Sequence, residues 1–144
     1  LLQFYDTRYI KLATIEEIVK NIREAVRGAQ EHLKRGLYFL AVNNAFFACE
    51  CTIILLCRFA YERGYISSVP TSHRGRLRVV SELCRRGIIP QDTISRYSRV
   101  LELRSRSVYA FKNGEVAREI VSNTIRIVSE VMRVIGVGLD VEGS

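Results

Sequence analysis

One stretch constrains the fold more than any other: the run from Leu37 to about Arg63, bounded by Gly36 and Gly64, is apolar almost all the way round a helix of that length. A surface helix carries one apolar stripe, whereas an element apolar on every side has to be packed on several sides at once. The segment Leu37 to Cys57 is long enough to span a bilayer, but Asn43, Asn44, Glu50 and Thr52 interrupt it, which argues against a membrane span. A central helix of a bundle is the expectation, with those polar residues seeking partners inside it.

The flanking sequence supplies four more helices with short connections. Thr14-Ile-Glu-Glu17 reads as a capping box, followed by Ile15, Ile18, Ile22, Ala25, Ala29 and Leu33 at helical spacing and a stop at Lys34-Arg35-Gly36. Pro70 and Ser72 mark the entry to a third helix that runs to Arg86 before Gly87. Pro90 and Asp92 open a fourth, with Ile94, Tyr97, Val100, Leu101 and Leu103 on its inner face. After the turn Lys112-Asn113-Gly114, the residues Val116, Ile120, Val121, Ile125, Val128, Met132 and Ile135 form the apolar stripe of a fifth. No strand-like run competes, so the fold expected is all-α: an up-and-down antiparallel bundle of about five helices with no β-sheet. The expected boundaries are an N-terminal arm at 1–13, the helical domain at 14–138, and a frayed tail at 139–144.

A chain of 144 residues can bury about two-thirds of its unfolded surface, so it requires no disulfide or metal staple. Cys49 and Cys51 are two apart on a helix and diverge by about 200°, and Cys57 and Cys84 have no Cys-x-x-Cys partner. Reduced, packed thiols, no metal and no cofactor are expected, and with no leader pattern a cytoplasmic location follows. The width of the second helix suggests more apolar surface than one small bundle needs at Phe46, Phe47, Ile53, Ile54, Leu55 and Leu56. A two-fold homodimer is the commonest way to bury such a surplus.

Charge points to the kind of partner. The net +7 is concentrated between His73 and Arg106, where nine arginines face only Glu82, Asp92 and Glu102. Of 22 basic residues 18 are arginine, whose planar fork suits phosphate and carboxylate. An anionic partner is implied, nucleic acid ahead of an acidic protein surface, through a basic groove formed by the third and fourth helices. The candidate phosphate ligands are Arg74, Arg78, Arg96, Arg99, Arg104 and Arg106. Some of these charges also have helix-surface partners at i±4: Arg78 and Arg86 about Glu82, and Arg106 after Glu102.

Three segments, in order, resemble the HEPN superfamily of small prokaryotic helical proteins. Leu103 to Phe111 (L-R-S-R-S-V-Y-A-F) looks like the Arg-x4-Tyr signature that closes its fourth helix, with Arg104 and Tyr109 in the marked places. Ala41 to Glu50 (A-V-N-N-A-F-F-A-C-E) looks like its second-helix motif. Ser72 to Pro90 looks like its H-x-G…G-I-I-P segment, with His73 in the histidine position. The resemblance covers roughly residues 20 to 135 and implies a helical bundle and a homodimer. It also implies nucleotide or RNA chemistry, in a toxin–antitoxin pair with a minimal nucleotidyltransferase as a separate partner chain. Active members cut RNA without metal using an Arg followed four to six residues later by His. Here Tyr109 stands in that place, and a phenol of pKa about 10 is a poor base at neutral pH.

The catalytic candidates are therefore Arg104 for the phosphate, Tyr109 for proton donation, and His73 as the alternative proton carrier. Structural readings stand beside them: Arg104 as a cap on helix-terminal carbonyls, Tyr109 as an anchor between helices, His73 as a residue near an N-cap. Asn44 and Glu50 are either polar residues of the same groove or a structural polar pair. His32, next to Glu31, reads as exposed or capping. Three functions compete: nucleic-acid or nucleotide-phosphate binding, a metal-independent endoribonuclease, and a protein-interaction scaffold without chemistry.

Overall fold

The computed structural model of the chain describes residues 14–106 and 112–137, so the arm 1–13, Tyr109 and the tail 139–144 fall outside the described residues. The regular structure among the described residues is five helices: α1 (Ile15–Lys34), α2 (Tyr38–Glu62), α3 (His73–Arg85), α4 (Thr93–Ser105) and α5 (Gly114–Ile135). The all-α bundle expected from the sequence is the architecture observed.

Three of the five helices start at a side-chain cap, while Leu37 before α2 and Asp92 before α4 make no such bond. The Thr14 hydroxyl accepts the Glu17 amide at 3.1 Å, Ser72 accepts Gly75 at 3.0 Å, and the Asn113 side chain accepts Glu115 at 2.9 Å. Four helices end in one closure: Gly36, Gly64, Gly87 and Gly136 take left-handed φ between 71° and 85°. The amide that follows each donates five residues back, as Leu37 does to the His32 carbonyl at 2.9 Å and Tyr65 to that of Ala60 at 2.8 Å. A side chain with a Cβ pays a steric penalty in that conformation, which is why glycine recurs there.

α2 is the central element, with fifteen of its 25 residues buried. One side meets α3, α4 and α5 through Phe46, Cys49, Ile53 and Leu56, packed with Leu83, Val100 and Ile120. The other meets α1 and the end of α5 through Ala48, Cys51, Ile54 and Leu55, packed with Ile18, Ile22, Val128 and Met132. It is the one helix among the described residues with the length and apolarity of a membrane span, and 72% of its most apolar window is buried in the bundle. This two-sided packing overturns the surplus inferred from the sequence. Phe46, Ile53, Ile54, Leu55 and Leu56 are all 4% exposed or less within a single chain, and Phe47 is half-buried. The homodimer expectation is left resting on the family resemblance alone.

The inner faces shift slightly from those read in the sequence. Ile15 is 38% exposed, while Val19 and Val26 are buried. On α5 the buried set includes Ala117, Thr124, Ile127 and Val131, and Ile125 and Ile135 lie at its edge. α4 runs antiparallel to α5: Thr93 donates to Glu130 at 2.6 Å, Arg96 to Asn123 at 3.3 Å, and Arg99 to Glu119 at 2.6 Å. The connection 63–72 instead carries the chain back along α2. α3 consequently begins beside Glu50 in the middle of α2, and its far end, at Arg86, reaches the Tyr65 carbonyl where α2 stops.

Candidate functional site

Glu50 is the most unusual side chain in the molecule, a carboxylate only 3% exposed in the centre of an apolar helix. Such a charge persists only with partners. It has three: its Oε1 accepts from the Tyr97 hydroxyl of α4 at 3.2 Å, and its Oε2 lies 3.2 Å from His73 Nε2 and 3.4 Å from Arg76 Nη2 of α3. His73 and Arg76 are three apart and so share one face of α3. The first turn of α3 is set by Ser72, and by Gly75, where a Cβ would stand 2.9 Å from Pro70 Cβ and 3.2 Å from Ser72 Oγ. The glycine of the H-x-G segment thus lets the loop close over the turn that aims His73.

The imidazole faces the carboxylate through Nε2, at ion-pair distance, so Nδ1 is the nitrogen that does not face it. The His73 side chain is 45% exposed, whereas Arg76 is 11% exposed. Burial and the Glu50 charge push the Tyr97 phenol well above its usual range, so it remains a hydrogen-bond donor.

Phe46 links this cluster to Arg104. Its ring stands edge-on to His73, centroids 6.4 Å apart, and the Arg104 Cζ lies 5.2 Å from the same ring centre. His73 and Arg104 therefore contact one phenyl ring, their centres no further apart than about 11.6 Å. Arg104 also donates to Asn43 Oδ1 at 3.2 Å, and the Asn43 amide in turn donates to the Phe39 carbonyl at 2.9 Å, which fixes the direction of its oxygen.

Asn44 is not part of this face. It turns to α1, where a Cβ on Gly28 would sit 2.9 Å from its Nδ2, so Asn43 and not Asn44 meets the Arg104 guanidinium. One residue along a helix is a rotation of about 100°, enough to carry a side chain from one side of α2 to another. The pairing of Asn44 with Glu50 in one groove is corrected accordingly.

The arginines divide into two groups. Arg96 pairs with Asp92 at 3.1 Å and Arg99 with Glu119 at 2.6 Å, and Arg106 reaches Glu102 at 3.0 Å. Arg96 and Arg99 are thereby placed in the α4–α5 seam and do not line a groove with α3, contrary to the expectation. Glu82 pairs with Arg85, three residues on, and not with Arg78 or Arg86; the Arg86 guanidinium lies 5.0 Å over the Tyr65 ring. Arg74 and Arg78 remain exposed, one helical turn apart, with no ion pair among the described residues.

Comparison with protein-family models, with curated proteins and with solved structures finds no match to this chain. The chemistry of the site therefore has to be read from its own geometry. The four cysteines are free and buried, and burial with the nearby Glu50 charge pushes the Cys51 thiol up to about 12. Burial likewise holds Cys57 at about 12. Neither offers a thiolate at neutral pH, so nucleophilic sulfur chemistry is absent from them. Among the described residues no group of three His, Cys, Asp or Glu side chains is placed to hold a metal ion.

Four members of the cluster escaped the sequence reading as site residues: Asn43, Phe46, Arg76 and Tyr97. The spacing of His73 and Arg76 on one face of α3 was the available signal for Arg76. Tyr97 gave none, because an inward Tyr on an apolar stripe reads as packing until its hydroxyl partner is known.

Proposed function

We propose that the chain binds the phosphate groups of RNA or of a nucleotide across the face where α3 begins. The observation that carries this reading is that α3 begins with two exposed arginines, Arg74 and Arg78, beside a His73 paired with buried Glu50, and that His73 and Arg104 both contact the Phe46 ring. Cations one turn apart on a helix match successive phosphates of a strand, and guanidinium is the group best suited to them. The family resemblance adds the toxin–antitoxin setting and the nucleotidyltransferase partner to the same proposal.

The test is fluorescence anisotropy with labelled single-stranded RNA over a salt series. Each neutralised phosphate contributes about 0.7 to the slope of log affinity against log salt. The double variant Arg74→Glu/Arg78→Glu should bind weakly and lower that slope by about 1.4. An unchanged slope in the variant, or no retention of RNA by wild type at low salt, refutes the reading.

A second reading, metal-independent RNA cleavage, is favoured by one contact, that of Glu50 with His73. A carboxylate behind an imidazole orients it and supports the positive charge it gains on taking a proton, leaving the other ring nitrogen for substrate. Arg104 would neutralise the phosphate as charge develops. Cleavage in excess chelator, reduced about 10²–10⁴-fold in His73→Ala, supports this reading. Binding without cleavage leaves the chain a phosphate-binding module.

A further inference from the structure

A second site lies on the opposite flank, between α1 and α5, and shares no residue with the face just described. The two helices run antiparallel. Ile18, Ile22 and Val26 of α1 pack with Val128 and Met132 of α5, while towards the end of α1 the helices separate around a cavity of about 560 Å³. That volume falls within the roughly 300–1,000 Å³ usual for small-molecule sites. Its floor is aliphatic, made by Leu33, Val121 and Ile125, with Gln30 and Ser122 as neutral polar groups on the two walls.

Its cations are Lys34, Arg118 and Arg126. Three of the neighbouring carboxylates are paired elsewhere: Glu31 to Arg35 at 3.1 Å, Glu119 to Arg99 at 2.6 Å, and buried Glu130 to Thr93 at 2.6 Å, with Arg126 3.8 Å from its other oxygen; exposed Glu115, one turn before Arg118, is not in an ion pair with it. The charge of Arg126 is thus partly offset, whereas Lys34 and Arg118 have no ion pair among the described residues. The antiparallel register brings these two to the same end, where α1 stops and α5 begins. There the Arg118 guanidinium lies 3.2 Å from the place a Cβ on Gly114 would occupy, next to the Tyr38 hydroxyl. An aliphatic floor with two cations at one end is the complement of an acid with an aliphatic body. Among the described residues the lining holds aliphatic, neutral polar and cationic side chains and no aromatic one for a base to stack upon.

We propose that this cleft binds an aliphatic carboxylic acid, its body over Leu33, Val121 and Ile125 and its carboxylate between Lys34 and Arg118. The bidentate fork of Arg118 supplies the directional contact and Lys34 the second charge.

The test uses anilinonaphthalene sulfonate as a fluorescent amphiphilic anion and decanoate and decanol as competitors on the full chain. Decanoate should displace the dye, and decanol at equal concentration should not. Lys34→Glu/Arg118→Glu, both exposed positions that leave the core intact, should weaken decanoate at least tenfold. Arg74→Glu/Arg78→Glu on the far face should leave it unchanged. Equal displacement by decanol, wild-type affinity in the Lys34/Arg118 variant, or no displacement by decanoate at millimolar concentration overturns the proposal. None of these outcomes bears on the RNA measurements.

Discussion

Replacing Glu50 with Gln tests the central cluster directly, because it removes a charge and almost no volume. The amide oxygen can still accept from Tyr97, now 3.2 Å away, but the amide NH2 takes the place of the oxygen that faces His73 Nε2 and Arg76 Nη2. Arg76, at 11% exposure, is then a buried cation opposite a donor. Breaking one side of a buried ion pair costs about 3–5 kcal/mol, and His73 adds little because nearly half of it is in water. Against a total stability of about 5–15 kcal/mol this is a large fraction. In urea, with a slope of about 2 kcal/mol per molar, the midpoint should fall by roughly 1.5–2.5 M. The double variant Glu50→Gln/Arg76→Met removes both charges and fills the space with an apolar chain, so it should recover most of the loss. A single-variant shift below about 0.5 M, or a double variant no better than the single, would refute the claim that Glu50 and Arg76 form one buried unit.

Alkaline pH probes the thiols. Cys51 and Cys57, ordinarily near 9.0, are held at about 12 by burial, so the unfolded chain sheds those protons first and the folded chain keeps them. Their contribution is intact below pH 9 and is lost as pH rises from 9 towards 12, by about 2 kcal/mol for the pair between pH 9 and 10. Urea midpoints at pH 8, 9 and 10 should fall in that order, and a flat profile refutes it. Glycine substitutions separate backbone contact from side-chain contact. Gly75→Ala drives a Cβ into Pro70 and should cost about 1–3 kcal/mol, whereas Gly28→Ala meets only the mobile end of Asn44 and should cost less. Thermal melts of the two variants check the order, and a reversed order would mean the Pro70 loop yields freely.

How much of this was legible in the sequence follows from the kind of signal each feature leaves. Helix ends are written locally, in Thr14, Ser72, Asn113 and the closing glycines, and the structure uses each of them. Periodicity gave the inner faces of α4 and α5 to within one position. For α2 it gave no face, because a helix apolar all round has no phase to read, and two errors came from that helix. Asn44 was placed where Asn43 stands, and apolar residues that fill a two-sided core were read as surplus. The arginine run revealed its net charge but not its pairing, since Arg96 and Arg99 find their partners on α5, 20 or more residues away.

The same absence of phase explains why polar side chains lie in the middle of α2. Dispersion and apolar burial are nearly indifferent to how such a helix is rotated, so the rotation has to be set by contacts with direction. Asn43 to Arg104 sets it against α4, Glu50 sets it against α3 and α4 together, and the close approach of Asn44 to Gly28 sets it against α1. Asn43 and Glu50, seven residues apart, share one side of the helix and Asn44 lies about 100° away, so the contacts fix it from two sides and agree on a single angle. A turn of one residue, about 100°, would leave the Glu50 charge without partners, a far larger penalty than the apolar surface could offset. The cluster that orients His73 is therefore also what gives α2 one orientation, and the candidate site is rigid where α3 meets it because the fold depends on the same carboxylate.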